Sequence, residues 1–90
     1  MSVVQADEVR RFIVSHLASP IKENNITEKE ITGDFDLMKR GIIDSIGFLH
    51  LVSAIENHFG IEVDFEDMDT EDLTIIGSIC RYIEERAEKK

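Results

Sequence analysis

Apolar side chains recur at helical spacing in three separate stretches of this 90-residue chain. Residues three and four positions apart lie on one face of an α-helix, so each stretch predicts an amphipathic helix with one face toward a core. The first helix is expected to stop near Pro20 and the second to end at Gly60. The three stripes are Ala6, Val9, Phe12, Ile13, His16 and Leu17; Phe48, Leu51, Val52, Ile55 and Phe59; and Leu73, Ile76, Ile79, Cys80, Ile83 and Ala87.

The segment between the first two helices, residues 20–43, shows no sustained period and is punctuated by asparagine and glycine. Thr27 and Glu30 have the spacing of a capping box for one short turn. A connection of this length is unusual in a compact domain and is typical of a functional loop. Four apolar residues are spaced like anchors that hold it to the core: Phe35, Leu37, Ile42 and Ile43.

These patterns predict an all-α fold, a small bundle of three main amphipathic helices with the long loop between the first two. Ninety residues allow one core, so residues 1–90 are expected to form a single domain. His16 is expected to be a packed core histidine, and Cys80 a buried, reduced thiol.

The net charge of -9 belongs to one segment of the chain. Residues 41–80 contain nine acids and no lysine or arginine, whereas the ten other acids are matched by ten basic residues. Such a field attracts basic partners and repels nucleic acid and anionic lipid, and it favours a monomer. No apolar run approaches the ~18 residues of a membrane span, and Met1–Asp7 lacks the features of a signal peptide. We therefore expect a cytoplasmic protein with neither nucleic-acid binding nor membrane insertion.

The sequence Gly41-Ile42-Ile43-Asp44-Ser45-Ile46-Gly47 places a serine where the second helix should begin. Either side chain of the Asp-Ser pair can accept hydrogen bonds from the free N–H groups of the first turn, and the local pattern favours Ser45 as the cap. The same helix end stabilises an anion, so a phosphodiester on the Ser45 hydroxyl would lie where the helix dipole favours it. The two interpretations are compatible.

Two aliphatic residues of the second helix point away from its apolar stripe. At 100° per residue, Ile46 and Leu49 project far from the direction of the core, as does Ser53. Single exposed apolar side chains are common. A pair beside Ser45 nevertheless favours a docking surface.

Other sites fit the sequence poorly. Asp67, Asp69 and Glu71 alternate as in a calcium loop, but the required glycine and final glutamate are missing. A hydrolase triad built on Ser45 has neither a nucleophile elbow nor room for a substrate pocket, and the histidines lack zinc-ligand spacing. We expect no catalytic residue and no metal site.

The stretch from Gly41 to Ile46 resembles the Asp-Ser-Leu signature of acyl and peptidyl carrier proteins, with Ile46 in the place of leucine. The similarity continues through His58–Val63, through the acidic stretch Asp64–Asp72, where that family has a short helix, and to Tyr82-Ile83 in the last helix. The long loop between the first two main helices matches as well, so the resemblance implies a small four-helix bundle of three main amphipathic helices plus one short helix. The resemblance therefore covers nearly the whole chain.

This resemblance implies a single carrier domain that is not an enzyme and that holds an acyl or aminoacyl group as a thioester on phosphopantetheine. A phosphopantetheinyl transferase would attach this arm to Ser45, and Asp44 would help to position magnesium and coenzyme A. The other implied partners are a loading ligase or acyltransferase and downstream biosynthetic enzymes. The residues expected to contact partners are Ile46, Leu49, Ser53 and Glu56.

The outer face of the second helix departs from the pattern of fatty-acid carriers, which usually have an acid after the signature and several carboxylates on that face. This chain has Gly47, His50 and Asn57 there, with Glu56 as the main acid. The difference favours a stand-alone carrier of a specialised pathway, such as a D-alanyl carrier or a discrete carrier of polyketide or nonribosomal peptide assembly. A general fatty-acid carrier and an unmodified helical adaptor are the alternatives.

Overall fold

The computed structural model describes residues 4–64 and 72–88, and the regular elements in these ranges are helices. The predicted all-α bundle, with a long connection between the first two main helices, is confirmed. Most of the acidic stretch, where a short helix was expected, lies outside the described residues. The elements are α1 (Ala6–His16), α2 (Ala18–Glu23), a 3-10 helix (Glu28–Glu30), α3 (Ser45–Phe59) and α4 (Ile76–Glu88).

The helices enclose one apolar core, and α1 makes its most extensive contact with α4. Cys80 is a free cysteine and is buried, as predicted. Burial raises the pKa of its thiol to about 12, which favours the protonated thiol over the thiolate. Six apolar members of the predicted stripes are only partly buried: Ala6, Phe12, Phe48, Val52, Phe59 and Leu73. The buried members of the three predicted stripes are Val9, Ile13, Leu17, Leu51, Ile55, Ile76, Ile79, Cys80, Ile83 and Ala87.

Two predictions about the first helix are wrong. α1 ends at His16, and after Leu17 the chain enters α2, in which Pro20 is the third residue. Proline fits there because the N–H groups of a first turn have no acceptor within the helix. His16 is exposed, and its ring stacks on Phe12 with the ring centroids 5.9 Å apart. The buried stripe of α1 therefore passes from Ile13 to Leu17 without including the histidine.

The long connection packs on the core as predicted. The capping box is present, since the Glu30 carboxylate accepts a hydrogen bond from the Thr27 N–H at 2.9 Å. Gly41 has a φ of 74°, a left-handed value that suits glycine, just before the chain turns toward α3. Of the predicted anchors, three are buried and the last is partly buried: Phe35, Leu37, Ile42 and Ile43.

The backbone of this connection caps the N-terminus of α4. The first N–H groups of a helix need acceptors from outside it. Here the Ile76 N–H donates to the Phe35 carbonyl at 3.0 Å, and the Gly77 N–H donates to the Gly33 carbonyl at 2.8 Å. A Cβ at position 77 would collide with the Gly33 carbonyl, so this approach requires glycine. The loop is thereby fixed to α4 by main-chain bonds.

Asp36 joins the same loop to the residues that precede α4. Its carboxylate accepts hydrogen bonds from the Thr74 hydroxyl at 2.7 Å and from the N–H groups of Met38 at 3.0 Å and Lys39 at 3.1 Å. The Leu37 N–H donates to the Thr74 carbonyl at 2.9 Å. Partial burial alone would raise the pKa of Asp36, but the hydrogen bonds and the charge of Lys39 bring it below its ordinary value. The fold therefore favours the ionised carboxylate.

Replacing Asp36 with asparagine should destabilise the protein near neutral pH and have less effect in acid. Because folding lowers the pKa of Asp36, its ionisation contributes stability that is complete above the ordinary carboxyl pKa and is lost as the pH falls through the lowered value. Urea unfolding of wild type and Asp36→Asn at several pH values measures this difference. Glu23→Gln, at the exposed end of α2, is the control. A difference between wild type and Asp36→Asn that does not change with pH would contradict the prediction.

Candidate functional site

The helix α3 begins at Ser45 because Asp44 caps it. The Oδ1 atom of Asp44 accepts a hydrogen bond from the Gly47 N–H at 2.7 Å, and the Asp44 carbonyl accepts one from the Phe48 N–H at 2.8 Å. The interpretation of Ser45 as the capping residue is therefore wrong, since Ser45 is the first helical residue. A carboxylate at this position makes a charge-assisted bond at the positive end of the helix dipole, which a neutral hydroxyl does not.

The Ser45 side chain is exposed, and its hydroxyl makes no hydrogen bond to a residue that the structure describes. Modification of this oxygen would break no bond among those residues. The 15-residue helix that follows presents the positive end of its dipole to this position. An anionic group attached to Ser45 would therefore be stabilised rather than repelled by the adjacent backbone.

The residues before Asp44 hold the helix start against the core. Ile42 is buried, and its N–H donates to the Leu37 carbonyl at 2.9 Å. The Ile43 N–H reaches the same carbonyl at 3.3 Å. Leu37 is itself bonded to Thr74, so the position of the Asp44–Ser45 pair follows from the loop that is anchored to α4.

Ile46 and Leu49 form an apolar patch next to Ser45. Their side chains are 65% and 57% exposed, and they are the large apolar side chains that face solvent among residues 4–64 and 72–87. Ser53 is also exposed. Leu51, by contrast, is fully buried. The predicted division of α3 into an inner and an outer face is confirmed.

Glu56 makes an internal contact that sequence reasoning missed. Its carboxylate accepts a hydrogen bond from the Val63 N–H at 2.9 Å, and the residue is half-buried. The chain folds back here after Gly60, whose φ of 67° ends α3 in a left-handed turn, as predicted. A helical wheel gives the direction of Glu56 but cannot show the segment that returns to meet it. The main acid of α3 is thus bonded within the protein.

Two side chains of α4 hold the same returning segment. The Tyr82 hydroxyl donates to the Asp64 carbonyl at 2.9 Å and accepts from the Asp64 N–H at 2.8 Å. The Nε atom of Arg86 donates to the Glu62 carbonyl at 3.0 Å. These contacts join positions distant in sequence, and no local pattern pointed to them. They fix the segment that leads from α3 toward the acidic stretch.

The histidines belong to no metal site within the described ranges, where no three potential ligand residues come together. His58 stacks on Phe12 with ring centroids 4.4 Å apart, so its role there is packing between α3 and α1. Asp67, Asp69 and Glu71 lie outside the described residues. In the part of the chain that is described, no helix has the length and apolarity needed to cross a bilayer.

Comparison with known proteins connects this geometry to a family. The family model described as "Phosphopantetheine attachment site" matches residues 22–83, which include Ser45. The D-alanyl carrier protein of Bacillus velezensis is 28% identical over 78 residues, covering 87% of this chain and 96% of that protein. The acyl carrier protein of Thermotoga maritima is 33% identical over 78 residues, covering 86% of this chain and 94% of that protein.

A second D-alanyl carrier protein, from Bacillus licheniformis, is 29% identical over 73 residues, covering 81% of this chain and 90% of that protein. None of the solved structures gives a significant match. The family model spans more than half of the chain and includes both the long loop and α3. The chain therefore belongs to the family of phosphopantetheine-binding carrier proteins.

Proposed function

We propose that this protein is a carrier whose phosphopantetheine arm is attached to Ser45 and which delivers an acyl or aminoacyl group to the enzymes of a specialised biosynthetic pathway. The observation that best supports Ser45 is its exposed hydroxyl, which has no hydrogen bond to a described residue and lies at the first position of α3, inside the range that the family model matches. The arm supplies a thiol that holds the cargo as a thioester. The protein itself catalyses no step and presents the cargo to its partners.

Attachment of the arm requires one bond to form and one to break. The Oγ atom of Ser45 bonds to the phosphorus that carries the pantetheine half of coenzyme A. The pyrophosphate bond to adenosine bisphosphate breaks, and a base on the transferase takes the hydroxyl proton. The resulting phosphodiester anion lies at the N-terminus of α3, where the helix dipole stabilises it.

The outer face of α3 supports a specialised pathway over general fatty-acid synthesis. His50, Ser53 and Asn57 are exposed and contribute no carboxylate, and the carboxylate of Glu56 is bonded to the Val63 N–H. Enzymes that recognise carriers through basic patches would find little charge on this surface. Two of the relatives above are D-alanyl carrier proteins, which supports the same proposal. The Thermotoga relative, an acyl carrier protein, keeps general fatty-acid synthesis as the alternative.

Ser45→Ala should abolish attachment of the arm. Wild-type protein incubated with coenzyme A, magnesium and a broad-specificity phosphopantetheinyl transferase should gain the mass of one arm, as measured by intact-protein mass spectrometry. Ser15→Ala, at an exposed serine of α1, is the matched control and should be modified like wild type. Modification of Ser45→Ala would overturn the assignment by placing the arm on another residue. No modification of wild type by several transferases would overturn it in favour of an unmodified adaptor.

Leu49→Ala should slow transfer of the phosphopantetheine arm to the protein without affecting folding, because Leu49 is exposed beside Ser45. Leu51→Ala, two positions away, removes a fully buried side chain and should cost about 2–5 kcal/mol of unfolding free energy. Urea denaturation measures the stability of both variants, and mass spectrometry measures the rate at which each is loaded. Equal destabilisation, or a wild-type loading rate for Leu49→Ala, would contradict a docking role for the patch.

Added carboxylates on the outer face of α3 should improve recognition by fatty-acid elongation enzymes. His50→Glu with Asn57→Glu places acids at two exposed positions of that face. Turnover of the acyl-loaded double variant should rise, mainly through faster association, and should fall steeply with added salt. Ser15→Glu with Ser19→Glu adds the same charge on α1 and α2 and is the control. Wild-type turnover equal to that of a fatty-acid carrier at the same salt would defeat the specialised-pathway proposal.

A further inference from the structure

A cavity lies between α1 and α4. Its volume is about 410 Å³, which falls within the range of pockets that bind small molecules, roughly 300–1,000 Å³. Its walls come from the first half of α1, from α4 and from Gly33 of the long loop, and none of the described residues that line it belongs to α3. The α1–α4 cavity is therefore separate from Ser45 and from the exposed patch of Ile46 and Leu49.

Small and apolar residues form the inner part of this cavity. Ile76 and Cys80 are buried there, and Ala6, Gly33 and Gly77 leave space because they carry a methyl group or no side chain. The space beside Gly77 is built into the fold, since a Cβ at this position would collide with the Gly33 carbonyl. The inner part of the cavity therefore suits an apolar group.

The two acids that line the cavity are both engaged within the chain. The Glu84 carboxylate accepts a hydrogen bond from the Ala6 N–H at 2.8 Å, at the start of α1. The Asp7 carboxylate lies 3.2 Å from the Nε atom of Arg11, one helical turn further along α1. Both negative charges are thus partly compensated by groups of the protein itself.

The two arginines that line the cavity differ in their contacts. Arg10 donates a hydrogen bond to the Ile31 carbonyl at 2.9 Å, and its guanidinium lies 3.4 Å from the Glu28 carboxylate. Arg81 is exposed and makes neither a hydrogen bond nor an ion pair with a residue that the structure describes. A guanidinium presents a planar set of N–H donors that matches a carboxylate. Arg81 is therefore the group of this cavity whose charge and donors are available to a ligand.

The charges around the cavity also restrict the kind of anion. In a chain with a net charge of -9, an arginine that faces a cavity and lacks an internal partner favours an anionic ligand at that place. Asp7 and Glu84 line the same cavity, so a dianion such as a phosphate monoester would be repelled more strongly than a monoanion. A single carboxylate on an apolar body matches both the arginine and the inner part of the cavity.

We propose that the α1–α4 cavity binds a small organic carboxylate, with the carboxylate on the Arg81 guanidinium and the apolar body against Ile76, Gly77 and Cys80. The site goes beyond the carrier function and does not depend on attachment of an arm to Ser45. A ligand in it contacts α1, α4 and the loop at Gly33 together. Because only the folded chain brings these three parts together, the bound ligand stabilises the fold.

Three probes separate the head group of the ligand from its apolar body. Hexanoate and hexylammonium share the body and differ in the sign of the charge, whereas acetate has the carboxylate and almost none of the body. The amide NMR resonances of Gly33, Gly77 and Arg81 report binding in the cavity, and that of Leu49 reports binding on the outer face of α3. Thermal unfolding with each probe gives a second measurement.

Hexanoate at millimolar concentrations should shift the amide resonances of Gly33, Gly77 and Arg81 in a saturable way and raise the Tm. Acetate should bind more weakly, and hexylammonium should not bind in the cavity. Arg81→Gln should weaken hexanoate binding by roughly fivefold, as expected for the loss of one ion pair at a partly exposed site. Lys22→Gln removes the same charge from an exposed position of α2 and is the matched control, which should bind hexanoate like wild type.

Several results would overturn this proposal. No saturable shift with hexanoate, or hexanoate shifts at Leu49 and not at the cavity residues, would exclude the site. Binding of hexylammonium or acetate as tight as that of hexanoate would contradict the proposed ligand class, and equal binding by Arg81→Gln and Lys22→Gln would remove the role of Arg81. None of these measurements uses a transferase, so their outcome is separate from that of the attachment at Ser45.

Discussion

The main-chain hydrogen bonds between the long loop and the first turn of α4 are the constraint on which the rest of this structure depends. The carbonyl groups of Gly33 and Phe35 accept the first free N–H groups of α4, and Asp36 ties the same stretch to Thr74. Leu37 is fixed between these contacts and in turn holds the residues that lead into α3. These hydrogen bonds fix the position of the loop although it has little regular structure, and they thereby fix the position of Ser45 at its end.

The helix α3 has one face in the apolar core and the opposite face in solvent. Leu51 and Ile55 are buried and join the helix to the core, whereas Ile46 and Leu49 stand in solvent. The inner face fixes the helix through burial of apolar area, which is the dominant favourable term in folding. The exposed side chains of the outer face do not belong to the core, so the proposed contacts with partners would need no rearrangement of it. A domain of this size would therefore need no cavity of its own to present the arm proposed at Ser45.

The sequence predicted the features that depend on neighbours within a few positions. The stripes containing Ile13, Leu51 and Ile83 and the break at Gly60 follow from helical spacing and from the freedom of glycine. It did not predict the bond from Glu56 to the returning chain, because that contact depends on tertiary structure. The same limit explains two wrong interpretations. His16 lies at the spacing of the apolar stripe, but tertiary packing leaves its side chain exposed. Pro20 is a helix-breaking signal, but tertiary structure sets the end of α1 and the start of α2.

The choice of Asp44 over Ser45 as the cap shows a finer limit, since both residues satisfy the local rule. The main-chain bonds that anchor the preceding isoleucines to Leu37 hold Asp44 at this position, and a local sequence pattern does not include those bonds. The charge pattern, by contrast, was read directly from composition, because the absence of lysine and arginine from residues 41–80 needs no structure to interpret.

The junction between Gly33 and Gly77 also has a consequence for the order of events during folding. It joins residues more than forty positions apart, so the chain loses a large amount of conformational entropy on closing this loop before these bonds form. A nascent or unfolded chain therefore lacks the support that places Ser45 at the head of a helix. Availability of the serine becomes a property of the completed fold, and a transferase that requires this helix start would discriminate native molecules from unfolded ones.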